Sequence, residues 1–340
     1  MVTTNSIELD CKFLDEKKTT VEGLPPQSTL PNKIPTSGFA LPIIDLSAPR
    51  ELVVEKVKDA VEKWGFFQVI NHGVPLSILE DVKDGVVRFH DEDPEVKKSY
   101  FTQDLTKKFI YHNNFELFSS SKSGNWRDSF ACYVAPPELP NPEDLPLVCR
   151  DGLFEFSKHV ISLGDLLFEL FSEALGLGSE MLKSKGCMKG VLLAGNYYPP
   201  CPKPDLKFGT KKHSDHSFMT ILLQDQTGGL QALHQDTWVD VWPIPGAIVI
   251  NIGDYLQLMT NDKFKSVEHR VLVNRDAPRI SVTCFVTTLM NPNPTVYGPI
   301  KELLSEENPP KYREITIPEY TKGYIERGID GDSHLSYYRI

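Results

Sequence analysis

His213-Ser214-Asp215 sets an imidazole and a carboxylate two residues apart in a chain of 340 residues. If that segment is extended, side chains at i and i+2 leave the same face and two metal ligands converge. His269, within Ser266-Val267-Glu268-His269-Arg270, lies 54 positions further on (269 minus 215), far enough for the chain to cross a barrel and return. Two histidines and a carboxylate form a facial triad, which leaves open positions on one side of a metal such as Fe(II) for a chelating co-substrate and O2. A structural metal site would close its coordination sphere instead. A lone His-x-Asp arises by chance in many chains, so the triad has to be judged with its companions. His216 would point away from Asp215 on a strand and reads as a neighbour. His72, His90, His112, His159, His234 and His334 share no comparable spacing and read as structural or surface residues.

The first companion is Arg279-Ile280-Ser281, ten residues after His269 (279 minus 269). On a strand its guanidinium and hydroxyl point together, offering a planar fork and one more donor to a buried carboxylate. The distal carboxylate of 2-oxoglutarate fits that description. The second companion is Asn196-Tyr197-Tyr198-Pro199-Pro200, whose amide Asn196 and phenol Tyr198 again stand at i and i+2. Tyr198 can donate to the same ligand, and Tyr197 is assigned to the core.

These groups need a scaffold. With 40% hydrophobic residues the chain can bury one large core or two modest ones. A formal net charge of -10 argues against nucleic acid or an anionic membrane as partner and towards a small-molecule substrate. The cysteines Cys11, Cys132, Cys149, Cys187, Cys201 and Cys284 are scattered without a CxxC pair, as expected of reduced thiols in the cytoplasm. Residues 1–20 lack the apolar stretch of a signal peptide. The most apolar long segment, 152–176, carries too many charges to span a membrane.

Residues 1–40, proline-rich and polar, are expected to be loosely ordered. Val54, Val57, Val61 and Trp64 recur at helical spacing, Gly65 ends that helix, and Phe66 to Ile70 follows as a buried strand. A second helix is expected after Pro75 and a third over 152–176, making the first half mostly helical. Residues 114–146 read as loop with short strands. From Val191 the texture changes to short β runs at Met219–Leu223, Trp238–Val241, Ala247–Ile252, Ser266–Val273 and Ile280–Thr288, which suggests a sandwich or barrel. The fold class is therefore mainly β with flanking helices.

His213 to Asp215, the run Ser-Val-Glu-His-Arg-Val-Leu at 266–272, Pro-Arg-Ile-Ser at 278–281 and Asn-Tyr-Tyr-Pro-Pro-Cys-Pro at 196–202 together resemble the signatures of plant 2-oxoglutarate/Fe(II)-dependent dioxygenases. Segments 41–47, 65–75, 228–241 and 246–271 resemble the same family, so the likeness spans roughly 300 residues with motifs in family order. The subgroup looks like the 1-aminocyclopropane-1-carboxylate oxidase homologues and desacetoxyvindoline 4-hydroxylase-like enzymes, and Asn125 to Phe130 fits that placement.

The resemblance implies a double-stranded β-helix (jelly-roll) core with a helical N-terminal region. It divides the chain into a loose segment 1–40, an N-terminal dioxygenase region 41–150, a scaffold helix and linker 151–190, a catalytic core 191–295 and a C-terminal helical tail 296–340. It implies Fe(II) on His213, Asp215 and His269, and 2-oxoglutarate on Arg279 and Ser281 with Tyr198 and Asn196. O2 would be the second co-substrate and ascorbate an activator. In related enzymes the position of Phe285 packs against substrate and Thr287 faces the same cavity. Trp126 and Phe130 are further pocket candidates, with core packing as the alternative for each. The expected reaction is oxidation, most simply hydroxylation, of an alkaloid, steroid, terpenoid or phenolic, with no obligate protein partner. Alternatives left open are an ascorbate-dependent 1-aminocyclopropane-1-carboxylate oxidase type, a zinc hydrolase on the same ligands, and a non-catalytic binding protein.

Overall fold

The computed structural model describes residues 39–102, 104, 107–113, 125–134, 140–204, 207–288, 295–327 and 333–340. The segment expected to be loosely ordered lies, up to residue 38, outside the described residues.

The strands run β1 (Ile43–Asp45), β2 (Phe66–Ile70), β3 (Phe109–Asn113), β4 (Asp128–Tyr133), β5 (Gly190–Tyr198), β6 (Phe208–His213) and β7 (Met219–Gln224). They continue as β8 (Leu230–His234), β9 (Thr237–Asp240), β10 (Ile248–Ile252), β11 (His269–Leu272), β12 (Arg279–Thr287), β13 (Val296–Tyr297) and β14 (Ile315–Thr316). The helices are α1 (Arg50–Lys63), α2 (Leu76–His90), α3 (Pro94–Ser99), α4 (Arg150–Ala174), α5 (Met181–Ser184), α6 (Asp254–Met259) and α7 (Ile317–Arg327).

An eight-stranded sheet in the order β1-β2-β10-β7-β12-β5-β4-β3 is one wall, and a four-stranded sheet, β6-β11-β8-β9, is the other. From β5 to β12 successive strands alternate between the two sheets, apart from the β8-β9 hairpin, which lies wholly in the smaller one, and this is the winding of a double-stranded β-helix. The helices expected at 51–64, after Pro75 and over 152–176 are present as α1, α2 and α4. Strands β1 to β4 all join the larger sheet and widen it at both ends. The C-terminal segment likewise contains the small β13-β14 pair besides α7.

The outer face of the large sheet is apolar because every second residue of its central strands is. Ile280, Val282, Cys284 and Val286 of β12, with Val191 and Leu193 of β5, pack in one cluster with Leu79, Val82 and Val86 of α2 and Phe156, Val160 and Leu167 of α4. This alternation leaves the remaining residues of each strand for the barrel interior. The turn Gly228-Gly229 closes the end of β8 against β11. Gly229 has φ near +91°, and a Cβ there would stand 2.8 Å from the Leu272 carbonyl oxygen, so glycine is required.

Candidate active site

The last residue of β6 and the first of β11, His213 and His269, face each other as a registered cross-strand pair. Their rings lie 4.2 Å apart. Strand β6 ends at His213, so Asp215 does not reach the site as the i+2 residue of a strand. It arrives from the turn beyond it. Two donors from the large sheet pin it there: Thr220 Oγ1 donates to Asp215 Oδ2 at 2.6 Å and Asn251 Nδ2 donates to the same oxygen at 2.8 Å. Asp254 N donates to the Asp215 carbonyl oxygen. Asp215 Oδ1 then faces both imidazoles, 3.5 Å from His213 Nε2 and 3.5 Å from His269 Nε2.

The outer nitrogens of the two rings are already committed. His213 Nδ1 lies 2.7 Å from the Lys211 carbonyl oxygen and His269 Nδ1 lies 3.1 Å from that of Val267. Each Nδ1 therefore donates its proton outward, which presents the Nε2 lone pair inward, as a metal-binding histidine requires. The three inward atoms lie within 4.8 Å of one another. Burial alone would raise the Asp215 pKa, but the two imidazoles hold it well below the usual carboxylate range. Burial, then the neighbouring His269, pushes His213 down, whereas the Asp215 carboxylate overcomes burial at His269 and lifts it.

Deeper in the barrel, Arg279 is 2% exposed. Its Nε donates to the Gly228 carbonyl oxygen at 2.8 Å and its Nη2 to Gln224 Oε1 at 3.1 Å. Its guanidinium lies 5.0 Å from the centre of the Tyr198 ring. Arg279 Nη1 is buried with no hydrogen-bond partner. A charged donor is rarely left that way unless a ligand completes it. Register pairs Arg279 with Tyr198 and Ser281 with Asn196, so all four residues stand on adjacent strands. Burial raises the Tyr198 phenol, but Arg127 and Arg279 together bring it below its ordinary value. Asn196 accepts from Ser129 Oγ at 2.8 Å and donates to Thr283 Oγ1 at 3.2 Å and Ser281 Oγ at 3.5 Å. Its amide thereby links Ser129 of β4 to Ser281 and Thr283 of β12.

Phe285 and Thr287 continue the inward face of β12, and Phe285 is half-buried. Phe130 points the other way. It is fully buried on the helical side, 5.1 Å from the Phe89 ring and 5.0 Å from that of Phe109, and fills the space left by Gly195. Phe130 is therefore a core residue and not a wall of the site. Trp126 donates from Nε1 to the Pro199 carbonyl oxygen at 3.0 Å, which fastens the approach to β4 onto the end of β5. His216 stacks on Tyr324 of α7 at 4.2 Å.

Thr220, Asn251, Gln224 and Tyr324 were not singled out by their sequence context. The first three stand out as polar residues at alternate positions in otherwise apolar strands, a pattern that could have flagged them. Tyr324 has no such signal.

Residues 190–288 match the 2OG-Fe(II) oxygenase superfamily, and residues 41–148 match the N-terminal region of non-haem dioxygenases, described for morphine synthesis. The chain is 67% identical over 348 residues to the Arabidopsis thaliana protein named 1-aminocyclopropane-1-carboxylate oxidase homolog 7, covering all of both chains. This chain is a 2OG-Fe(II) oxygenase. Homolog 1 from the same plant is 54% identical to this oxygenase, with 97% of this chain and 95% of that one covered. Among solved structures, JOX2 in complex with 2OG, Fe and JA superposes with a TM-score of 0.79 at 31% identity, covering 88% of this chain and 89% of that one. The rice dioxygenase for auxin oxidation shares the fold at a TM-score of 0.73 and 23% identity, covering 88% and 100%.

As a member of this family the oxygenase uses Fe(II) and 2-oxoglutarate. Its residues fit both groups: three convergent donor atoms for the metal, and the orphaned Arg279 Nη1 beside Ser281 and Tyr198 for a carboxylate. No helix among the described residues is long and apolar enough to cross a membrane.

Proposed function

We propose that His213 Nε2, Asp215 Oδ1 and His269 Nε2 hold the Fe(II), and that Arg279, Ser281 and Tyr198 bind the far carboxylate of 2-oxoglutarate. The enzyme then oxidises a plant specialised metabolite, an alkaloid, steroid, terpenoid or phenolic, most simply by hydroxylation. Iron and 2-oxoglutarate, when bound, supply the oxidant from O2 and leave succinate and CO2.

The observation that carries the reading is the open Nη1 of Arg279 on the same barrel interior as the triad. Gln224 and the Gly228 carbonyl are neutral acceptors, so they fix the guanidinium without cancelling its charge. That charge remains available to a dicarboxylate. Thr220 and Asn251 play the matching part for Asp215 by fixing one carboxylate oxygen and leaving the other towards the metal. The half-buried Phe285 provides an apolar surface against which a carbon skeleton can rest while water is excluded.

The test is succinate formation by the Fe(II)-loaded enzyme with 2-oxoglutarate, ascorbate and O2, screened against plant small-molecule extracts. Succinate that rises with one extract fraction supports the reading, and the product mass then leads to the substrate. Product formed without 2-oxoglutarate would put the ascorbate-dependent oxidase type in its place.

A further inference from the structure

Register rules the inner face of the large sheet into transverse rows. One row reads Tyr133 on β4, Leu192 on β5, Phe285 on β12, Thr220 on β7 and Asn251 on β10, each paired with the next. At one end, Thr220 and Asn251 both donate to the Asp215 carboxylate. Two residues deeper, the neighbouring row of Ala131, Ala194 and Thr283 is buried, yet Tyr133, Leu192 and Phe285 keep solvent contact. Solvent-accessible space, a chamber, therefore lines this row at Phe285, Leu192 and Tyr133, beside the buried Thr220 and Asn251 that hold the metal carboxylate.

Tyr133 closes that chamber. It follows Ser129 and Ala131 on the inward face of β4, while Phe130 and Cys132 take the helical side. Its phenol makes no hydrogen bond among the described residues, and burial raises its pKa, so it stands as a neutral donor. The nearby Tyr255 hydroxyl is engaged with Thr321 of α7 at 3.2 Å. A half-buried phenol usually finds a partner, and here the open side is the chamber.

We propose that Tyr133 reads an oxygen function of the prime substrate at the far end of the Leu192–Phe285 wall. The proposal rests on the oxygenase reading above and narrows its substrate class. Three strand spacings of ~4.8 Å separate β4 from β7, which places the polar group on the order of 10–14 Å from the oxidised carbon. The substrate is then a molecule of two or more linked or fused rings, apolar in its middle and oxygenated at one end. An amino acid built on a three-membered ring would extend no further than Phe285 and leave the phenol to water.

The test uses the Fe(II)- and 2-oxoglutarate-loaded full chain under nitrogen, where binding is read without turnover. Equilibrium dialysis compares 4-hydroxybiphenyl with biphenyl, which lacks only the hydroxyl. The wild type should bind 4-hydroxybiphenyl about tenfold more tightly, the worth of one hydrogen bond at a half-buried site. Tyr133→Phe should erase that preference while leaving biphenyl and 2-oxoglutarate affinities unchanged, and Phe285→Ala should weaken both probes alike. Equal binding of the two probes by the wild type, or a preference that survives Tyr133→Phe, overturns the proposal. Failure of the wild type to bind 2-oxoglutarate in the same dialysis would instead remove the co-substrate assignment, and the hydroxyl preference would be scored separately.

Discussion

Along β12, the residues facing the helices, Ile280, Val282, Cys284 and Val286, are buried and apolar. Those facing the barrel, Arg279, Ser281, Thr283, Phe285 and Thr287, bring a guanidinium, hydroxyls and one ring. The outer face makes the fold and the inner face makes the site, on the same nine residues. The two faces obey different rules. Outside, apolar side chains pack against one another, as where Phe130 fills the space over Gly195. Inside, Asp215 Oδ1 and Arg279 Nη1 are left towards open positions, where the proposed ligands would bind.

If the division is real, changes on the two faces should separate activity from stability. The largest effect is expected from Asp215→Asn, which should remove bound iron by metal analysis. Turnover should fall at least about a thousandfold, with little change in the urea midpoint. The reverse pattern is expected of Phe130→Ala, which should lower unfolding free energy by about 3–5 kcal/mol in urea titrations while 2-oxoglutarate affinity of the folded protein is kept. Should Phe130→Ala abolish activity without destabilising the protein, the two-face picture fails. Next in size, Arg279→Leu should raise KM for 2-oxoglutarate by about 10–100-fold, with a smaller change in kcat, because it removes a charge-assisted contact.

The smallest effect sharpens the outer side. His90 is buried at the end of α2, stacked 5.2 Å from Tyr197, with Nδ1 donating to the Val86 carbonyl oxygen at 2.8 Å. Burial holds its pKa down to about 4 from an ordinary 6.5. A depressed histidine pKa means that the unfolded chain binds the proton more readily. Its contribution is therefore present above pH 6.5 and lost as pH falls towards 4. At pH 5 the loss is about 2 kcal/mol. Urea midpoints at pH 7 and pH 5 should differ by less in His90→Phe than in the wild type, and an unchanged difference would show that His90 stays paired on acidification.

The triad was legible because its residue types are rare in combination, and Arg279 and Ser281 because a strand's period of two puts both on one face. Tyr198 and Asn196 shared that logic, and Asn196 is hydrogen-bonded to Ser281 on the neighbouring strand. Phe130 was open between pocket and core because an aromatic in a strand beside a site has two faces to choose from, and its packing over Gly195 decides for the core. The turn that carries Asp215 was hidden for a similar reason. An i, i+2 spacing fits a strand, but the chain leaves β6 at His213 and depends on Thr220 and Asn251, brought in from other strands. Strand β4 falls in 114–146, which reads as loop with short strands, whereas β3 just before it carries no signal that sets it apart.

Helix α7 supplies no ligand, yet Tyr320 donates to Asp254 Oδ2 at 2.7 Å and Tyr324 stacks on His216 within the turn that bears Asp215. Ser214 Oγ also donates to Asp254 at 3.1 Å, so the helix and the ligand turn share one anchor. Lys322, exposed in the middle of α7, is a trypsin target that can be cut only when the helix opens. An ion that stiffens the turn should slow that opening. The cleavage rate at Lys322, followed by mass spectrometry with and without Fe(II), would then serve as a clock for metal occupancy, read from the far end of the chain.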